Sequence, residues 1–247
     1  MKRTRTLMGM PVAIEITDPQ ASNQAFTEIY DYFSAVDRRY STYKPESEIS
    51  QINGGLPEAR WSAEMKMVLA LCEQTRAATN GYFNIMRRGK RDPSGLVKGW
   101  AIQAAARQLQ ERGFRNFYVD AGGDIQVAGR NAHGLPWRVG IRNPFQRSEI
   151  VKVVAVTNQG VATSGTYIRG QHIYNPYKPD AAITDVAGLT VIGPNIYEAD
   201  RFATAAFAMG RKGIDFIEQL DGLEGYMIDS AKQATLTSGF ERYVVAA

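Results

Sequence analysis

The chain has 247 residues, 44% hydrophobic and 22% charged, with no long biased tract; it can bury a sizeable core, and neither disorder nor a collagen-like repeat fits it. Lys and Arg number 29 against 25 Asp and Glu, a net charge of +4. That mild excess suits an anionic ligand such as a dinucleotide, and its lack of a basic stripe argues against nucleic acid.

The N-terminus holds no apolar run of signal-peptide length, and no stretch approaches the roughly 18 apolar residues of a membrane span, so the expected compartment is the cytoplasm. Val12, Ile14 and Ile16 alternate with Ala13 and Glu15, which predicts a half-buried strand over 11–16. A helix capped by Ser22 follows, with Phe26, Ile29, Tyr30, Phe33 and Val36 on one face. The polar, proline-broken run 41–50 reads as a loop or a short turn of helix. Ser62 opens a second helix through Met65, Val68 and Leu69 that closes at Asn80-Gly81. Its Cys72, the one cysteine of the chain, reads as a core thiol, and neither an internal disulfide nor a cysteine-based metal cluster can form.

Arg87, Arg88, Lys90 and Arg91 form the densest cationic cluster. A solvated loop is the simpler reading and a phosphate-facing loop the other. A third helix is expected from about Leu96 to Glu111, and short strands over 117–119, 125–128, 137–141, 151–156 and 189–192. Helices over 197–209 and 214–220 and two or three strands between 225 and 245 complete the pattern. Helices beside antiparallel-looking strands, without strict alternation, predict an α+β fold in one domain, residues 1–247, with one or two lobes.

Four segments could carry chemistry. Ala121-Gly122-Gly123-Asp124 lies between two strands, where glycines allow a tight turn or close approach to a ligand. Val97-Lys98-Gly99-Trp100-Ala101 places a cation where a loop enters a helix, a position that asks for an anionic partner. Thr163-Ser164-Gly165-Thr166-Tyr167, followed by His172-Ile173-Tyr174-Asn175-Pro176, gathers hydroxyls and one of two histidines in a loop-rich stretch suited to acid–base work; the other, His133, reads as an exposed turn. Asp200 and Thr204, four residues apart, share one helical face and offer hard oxygen ligands suited to magnesium. A helix N-terminal aspartate beside a buried threonine explains that pair equally well.

In this order the segments resemble the ApbE-type FAD:protein FMN transferases. The resemblance also takes in Met8-Gly9-Met10, Ser41-Thr42-Tyr43 with Ser47, Ser50 and Asn53, and Gly81-Tyr82-Phe83-Asn84. It implies an ApbE-like, T-fold-related architecture and transfer of FMN from FAD to a threonine or serine hydroxyl of an acceptor flavoprotein, with AMP released. It further implies that Met8, Tyr43, Tyr82, Phe83 and Asn84 border the flavin nucleotide, with Lys98, Gly122, Gly123, Thr163, Ser164, Gly165 and Ile173 completing the FAD site. Mg²⁺ would be held by the Ala101 carbonyl, Asp200 and Thr204, and His172 is the candidate proton acceptor. Asn84 and Asn175 stand where the family usually has aspartate, Gln103 replaces an aspartate, Asp120 replaces an asparagine, and only fifteen positions separate Phe83 from Lys98. The rival readings are an FAD pyrophosphatase using the same site and a non-catalytic flavin-binding protein.

Overall fold

The computed structural model describes residues 1–146, 148–165 and 173–246. β1 (Lys2–Leu7) and β2 (Met10–Ile16) form a hairpin, followed by α1 (Asn23–Tyr40), α2 (Glu48–Asn53) and α3 (Ala63–Ala78). The two-residue strands β3 (Met86–Arg87) and β4 (Lys90–Arg91) precede α4 (Ser94–Glu111). Next come β5 (Phe117–Ala121), β6 (Asp124–Ala128), β7 (Trp137–Arg142), β8 (Ile150–Val156), β9 (Gly160–Gly165) and β10 (Val186–Gly193). α5 (Ile196–Ala208), α6 (Gly213–Glu218), β11 (Glu224–Asp229), β12 (Ala234–Leu236) and β13 (Val244–Val245) complete the described chain.

The elements assemble as an antiparallel eight-stranded sheet in the order β1-β2-β5-β6-β9-β10-β11-β12, a three-stranded sheet β13-β8-β7 and the hairpin β3-β4. The expected α+β class is therefore observed. Alternation along the strands sorts the core into two. Val12, Ile14, Val119, Ala162 and Val191 face α1, α4 and α5, whereas Val127, Val161, Ile192 and Tyr226 meet Trp137, Val139 and Val154 of the small sheet. Helices, large sheet and small sheet thus stack as three layers, each apolar face covered by the next. Among the described residues no helix is long and apolar enough to cross a membrane.

Local chemistry sets the element boundaries. The Ser22 and Ser62 hydroxyls accept from the N–H groups of Ala25 and Met65 at 3.4 and 3.1 Å, capping α1 and α3. The polar run 41–50 leads into α2, whose cap is Ser47. Cys72 is buried in α3, and burial pushes its thiol up to about 12. Two sequence expectations change. β9 continues through Gly165, so Thr163 and Ser164 are strand residues and not loop residues. α4 begins at Ser94, so Lys98 sits a full turn inside the helix, where no free N-terminal N–H groups are on offer.

α4 and α5 approach each other unusually closely, and glycine makes this possible. A Cβ added at Gly99 would lie 2.7 Å from Asp200 Cβ and 2.9 Å from the Ile196 carbonyl oxygen; one at Gly95 would lie 3.2 Å from Thr204 Cγ2. The two helices that carry the candidate site are therefore pressed against each other at the site itself.

Candidate active site

A cavity of about 1030 Å³, counting space open to solvent, is lined from four directions. Tyr82, Phe83 and Asn84 come from the segment after α3, and Gly95 and Lys98 from α4. Thr163, Ser164 and Gly165 come from β9, and Asp200 and Thr204 from α5, with Gly122 and Ile173 at its edge. Eleven of the residues expected to bind nucleotide or metal thus share one pocket of the size and mixed polarity of a cofactor site.

Its floor is a charged cluster. Asp200 is 2% exposed, and its Oδ2 accepts the Gly99 N–H at 2.8 Å while its Oδ1 lies 3.5 Å from Lys98 Nζ. The same ammonium contacts Asp124 Oδ2, and Asp124 Oδ1 accepts the Thr163 N–H at 2.9 Å. Thr163 and its cross-strand partner Thr190 share a hydroxyl hydrogen bond of 2.8 Å, which ties β9 to β10 beside the cluster. Burial pushes the Asp200 carboxyl well above the usual carboxylate range; Lys98 opposes that shift and Asp124 adds to it. Two buried carboxylates thus share a single ammonium, and neither has a cation to itself.

Asp124 closes the Ala121–Asp124 segment named from the sequence, but only its two glycines were expected to bind. The available signal was a carboxylate immediately after the Gly122–Gly123 turn, in phase with the buried positions of β6. That turn needs glycine: φ is +66° and +97°, and a Cβ on Gly122 would lie 2.9 Å from Met10 Sδ. Ile85, Arg87, Asp92, Ser94 and Tyr174 also line the cavity and were not among the expected site residues.

The remaining expectations fall elsewhere. Met8 turns the β1-β2 hairpin at φ +52° and packs partly buried against the core. Tyr43 is 95% exposed. Gly123 is exposed, and Ala101 is fully buried inside α4; none of these four lines the cavity. His172 lies outside the described residues. His133 sits in an exposed turn. Asn84 Oδ1 accepts the Met86 N–H at 2.8 Å and Asn175 Oδ1 the Tyr177 N–H at 2.9 Å, so both asparagines serve local turns. Gln103 Oε1 is buried with no hydrogen-bond partner among the described residues.

The cluster suits a hard cation held by few ligands. Among the described residues no three His, Cys, Asp or Glu side chains converge. A carboxylate and a hydroxyl, Asp200 and Thr204, do share the pocket. Mg²⁺ keeps several waters and takes one or two carboxylates plus substrate phosphates, and such a sparse donor set fits it better than zinc or calcium.

A sequence model of the ApbE family matches residues 8–89 and 87–227. A relative called FAD:protein FMN transferase in Escherichia coli K12 is 31% identical over 146 residues, 56% of this chain and 42% of that protein. One of the same name in Vibrio cholerae is 33% identical over 131 residues, 49% of this chain and 39% of the other. The matched stretch thus spans less than half the length of these relatives. The solved structure of a flavin transferase ApbE from Vibrio cholerae superposes with a TM-score of 0.86 at 22% identity, covering 98% of both chains. An ApbE protein from Thermotoga maritima gives 0.87 at 19% identity, covering 100% of this chain and 99% of the other. At such identities these two likenesses concern the fold, whereas the family match extends over most of the sequence, and the chain belongs to the ApbE family.

Proposed function

We propose that this protein is a magnesium-dependent FAD:protein FMN transferase, moving the FMN half of FAD onto a threonine or serine hydroxyl of an acceptor flavoprotein and releasing AMP. The observation that carries the reading is the buried Lys98–Asp124–Asp200 cluster on the floor of a pocket large enough for a nucleotide. The names of the relatives point the same way.

Asp200 and Thr204 would hold the cation; the Ala101 carbonyl, expected as a third donor, is buried inside α4 away from the cavity, which leaves the remaining positions to water and substrate phosphate. Bound there, Mg²⁺ would neutralise negative charge on the pyrophosphate and on departing AMP. Lys98, clamped between two carboxylates, keeps its ammonium fixed at the pocket floor, where it needs no reorganisation to meet a phosphate oxygen. The Gly99 N–H holds the Asp200 carboxylate in one orientation. Phe83 and Ile173 give the pocket apolar wall for a flavin, while Tyr82 stacks edge-on with Tyr177 at 5.0 Å, which sets the angle of its ring. His172 is assigned the proton of the acceptor hydroxyl.

The test is to incubate the purified protein with FAD, Mg²⁺ and a candidate acceptor, following AMP by chromatography and the acceptor by mass spectrometry. AMP release matched by an acceptor gaining the mass of FMN is expected. AMP release without acceptor labelling would make the protein a pyrophosphatase, and tight FAD binding without AMP would make it a flavin carrier.

A further inference from the structure

The cationic hairpin β3-β4 contributes to the pocket in a way that a solvated loop does not. Arg87 lines the cavity together with Lys98 and Thr204. Lys90 is its direct cross-strand partner, so the two side chains share one face of the hairpin. Like charges directly opposed destabilise a hairpin, and neither Arg87 nor Lys90 makes an ion pair with any described residue. The pairing is nevertheless built firmly. Arg88 and Gly89 turn the chain at φ +50° and +76°, the left-handed pair a two-residue hairpin requires. Tyr174 donates its hydroxyl to the Met86 carbonyl at 2.6 Å and lies under the Arg87 guanidinium, 5.0 Å from ring centroid to Cζ. On the other strand, Asn53 exchanges two hydrogen bonds with the Arg91 backbone, at 2.8 and 2.9 Å. The fourth cation, Arg91, lies 5.3 Å from the centroid of the Trp61 ring.

Two cations held face to face on this hairpin, Arg87 on the pocket wall and Lys90 exposed beside it, lose their mutual repulsion when an anion sits between them. A guanidinium pre-oriented by stacking has the planar fork that takes two phosphate oxygens at once. We propose that Arg87 and Lys90 form a clamp for the adenylate phosphate of FAD, the half that leaves as AMP. The inference rests on the FAD reading above and adds to it a residue pair that distinguishes the dinucleotide from FMN. It also makes AMP a competitor for FAD at the same clamp.

The experiment titrates FAD and FMN by flavin fluorescence in the presence of Mg²⁺, and AMP by displacement of FAD. Wild type is compared with R87Q/K90Q, with R87K, and with R88Q, which removes an exposed charge from the same turn. R87Q/K90Q is expected to weaken FAD and AMP by roughly tenfold or more and FMN by less than about twofold. R87K should fall between, since it keeps the charge without the fork, and R88Q should resemble wild type. Its thermal midpoint reports folding independently, and R87Q/K90Q should not lower it because a repulsion has been removed. Unchanged FAD affinity in R87Q/K90Q, or a loss for FMN equal to that for FAD, would overturn the clamp. A wild-type protein that binds no FAD would instead overturn the functional reading.

Discussion

The backbone of Gly99 is fastened to the side chain of Asp200: the N–H donates to Oδ2 at 2.8 Å, and there is no room between the two residues for a Cβ. One contact therefore sets both the spacing of α4 and α5 and the direction of the carboxylate that faces the pocket.

Gly99→Ala should be among the most damaging single-methyl additions in this chain. The new carbon would meet Asp200 Cβ at 2.7 Å and the Ile196 carbonyl oxygen at 2.9 Å. Neither belongs to a flexible side-chain end. Overpacking of this kind costs about 1–3 kcal/mol, which urea unfolding would show. AMP release per folded molecule should fall as well, because the helices can only separate by moving Asp200. Full activity with unchanged stability would mean that the helices part freely.

Asp200→Asn should separate structure from chemistry. The amide oxygen can still accept the Gly99 N–H, and a buried carboxylate with a raised pKa loses little by becoming neutral. The thermal midpoint of the metal-free protein should stay level or rise. Magnesium-dependent AMP release should drop by at least roughly a hundredfold, since the cation would exchange a carboxylate for a neutral oxygen. A lower midpoint with activity preserved would mark Asp200 as a structural residue.

Asp120 gives a pH signature. Burial raises its carboxyl to about 6, against the Gly123 N–H that lowers it, so the folded chain holds this proton more tightly than the unfolded chain does. The contribution to stability is therefore greatest below pH 4, falls as pH rises from about 4 to about 6, and stays low above that. Asp120→Asn keeps the acceptor for Gly123 and removes the titration. Its stability should exceed that of wild type at pH 8 by about 1–3 kcal/mol and converge with it near pH 4. A constant difference across that range would show that Asp120 titrates normally.

Asp18 serves as a control far from the pocket. It is buried and accepts from the Arg115 and Asn116 N–H groups at 3.0 and 2.8 Å and from the Asn116 amide at 3.1 Å, tying the loop after β2 to the start of β5. Asp18→Ala strands these donors and should cost about 1–3 kcal/mol in denaturant unfolding. FAD affinity at a temperature where the variant stays folded should be unchanged; a parallel loss would connect this loop to the pocket.

Much of the fold could be read locally. Ser22 and Ser62 announce their helices because a cap and an apolar face fall in register. β1 could not be read so, since its residues are almost all polar and exposed and its order comes from pairing with β2. β9 is written in Gly, Val, Ala, Thr and Ser, with little hydrophobic alternation to betray a strand. It is buried because α5 lies directly on it, so closely that a Cβ on Gly160 would sit 2.1 Å from the Ile196 nitrogen. Within the site, the Asp200–Thr204 spacing was visible as a helical pair. The meeting of Lys98 with Asp124 and Asp200 joins three separate elements, and only tertiary packing brings it about. Arg87 was obscured by its neighbours, because four cations in five residues resemble solvent-facing charge until pairing decides which of them share a face.

β1 is an outer strand of the large sheet, and a free strand edge is a template for joining another chain. Here that edge carries Lys2, Arg3 and Arg5 in the space of four residues, with Lys2 laid over the Tyr118 ring and Arg5 over Tyr30. Two copies approaching rim to rim would have to bring these cations together and pull the long side chains off the rings they cover. This edge of the large sheet is thereby guarded against growing from one molecule into the next, and on that side the sheet ends where β1 ends.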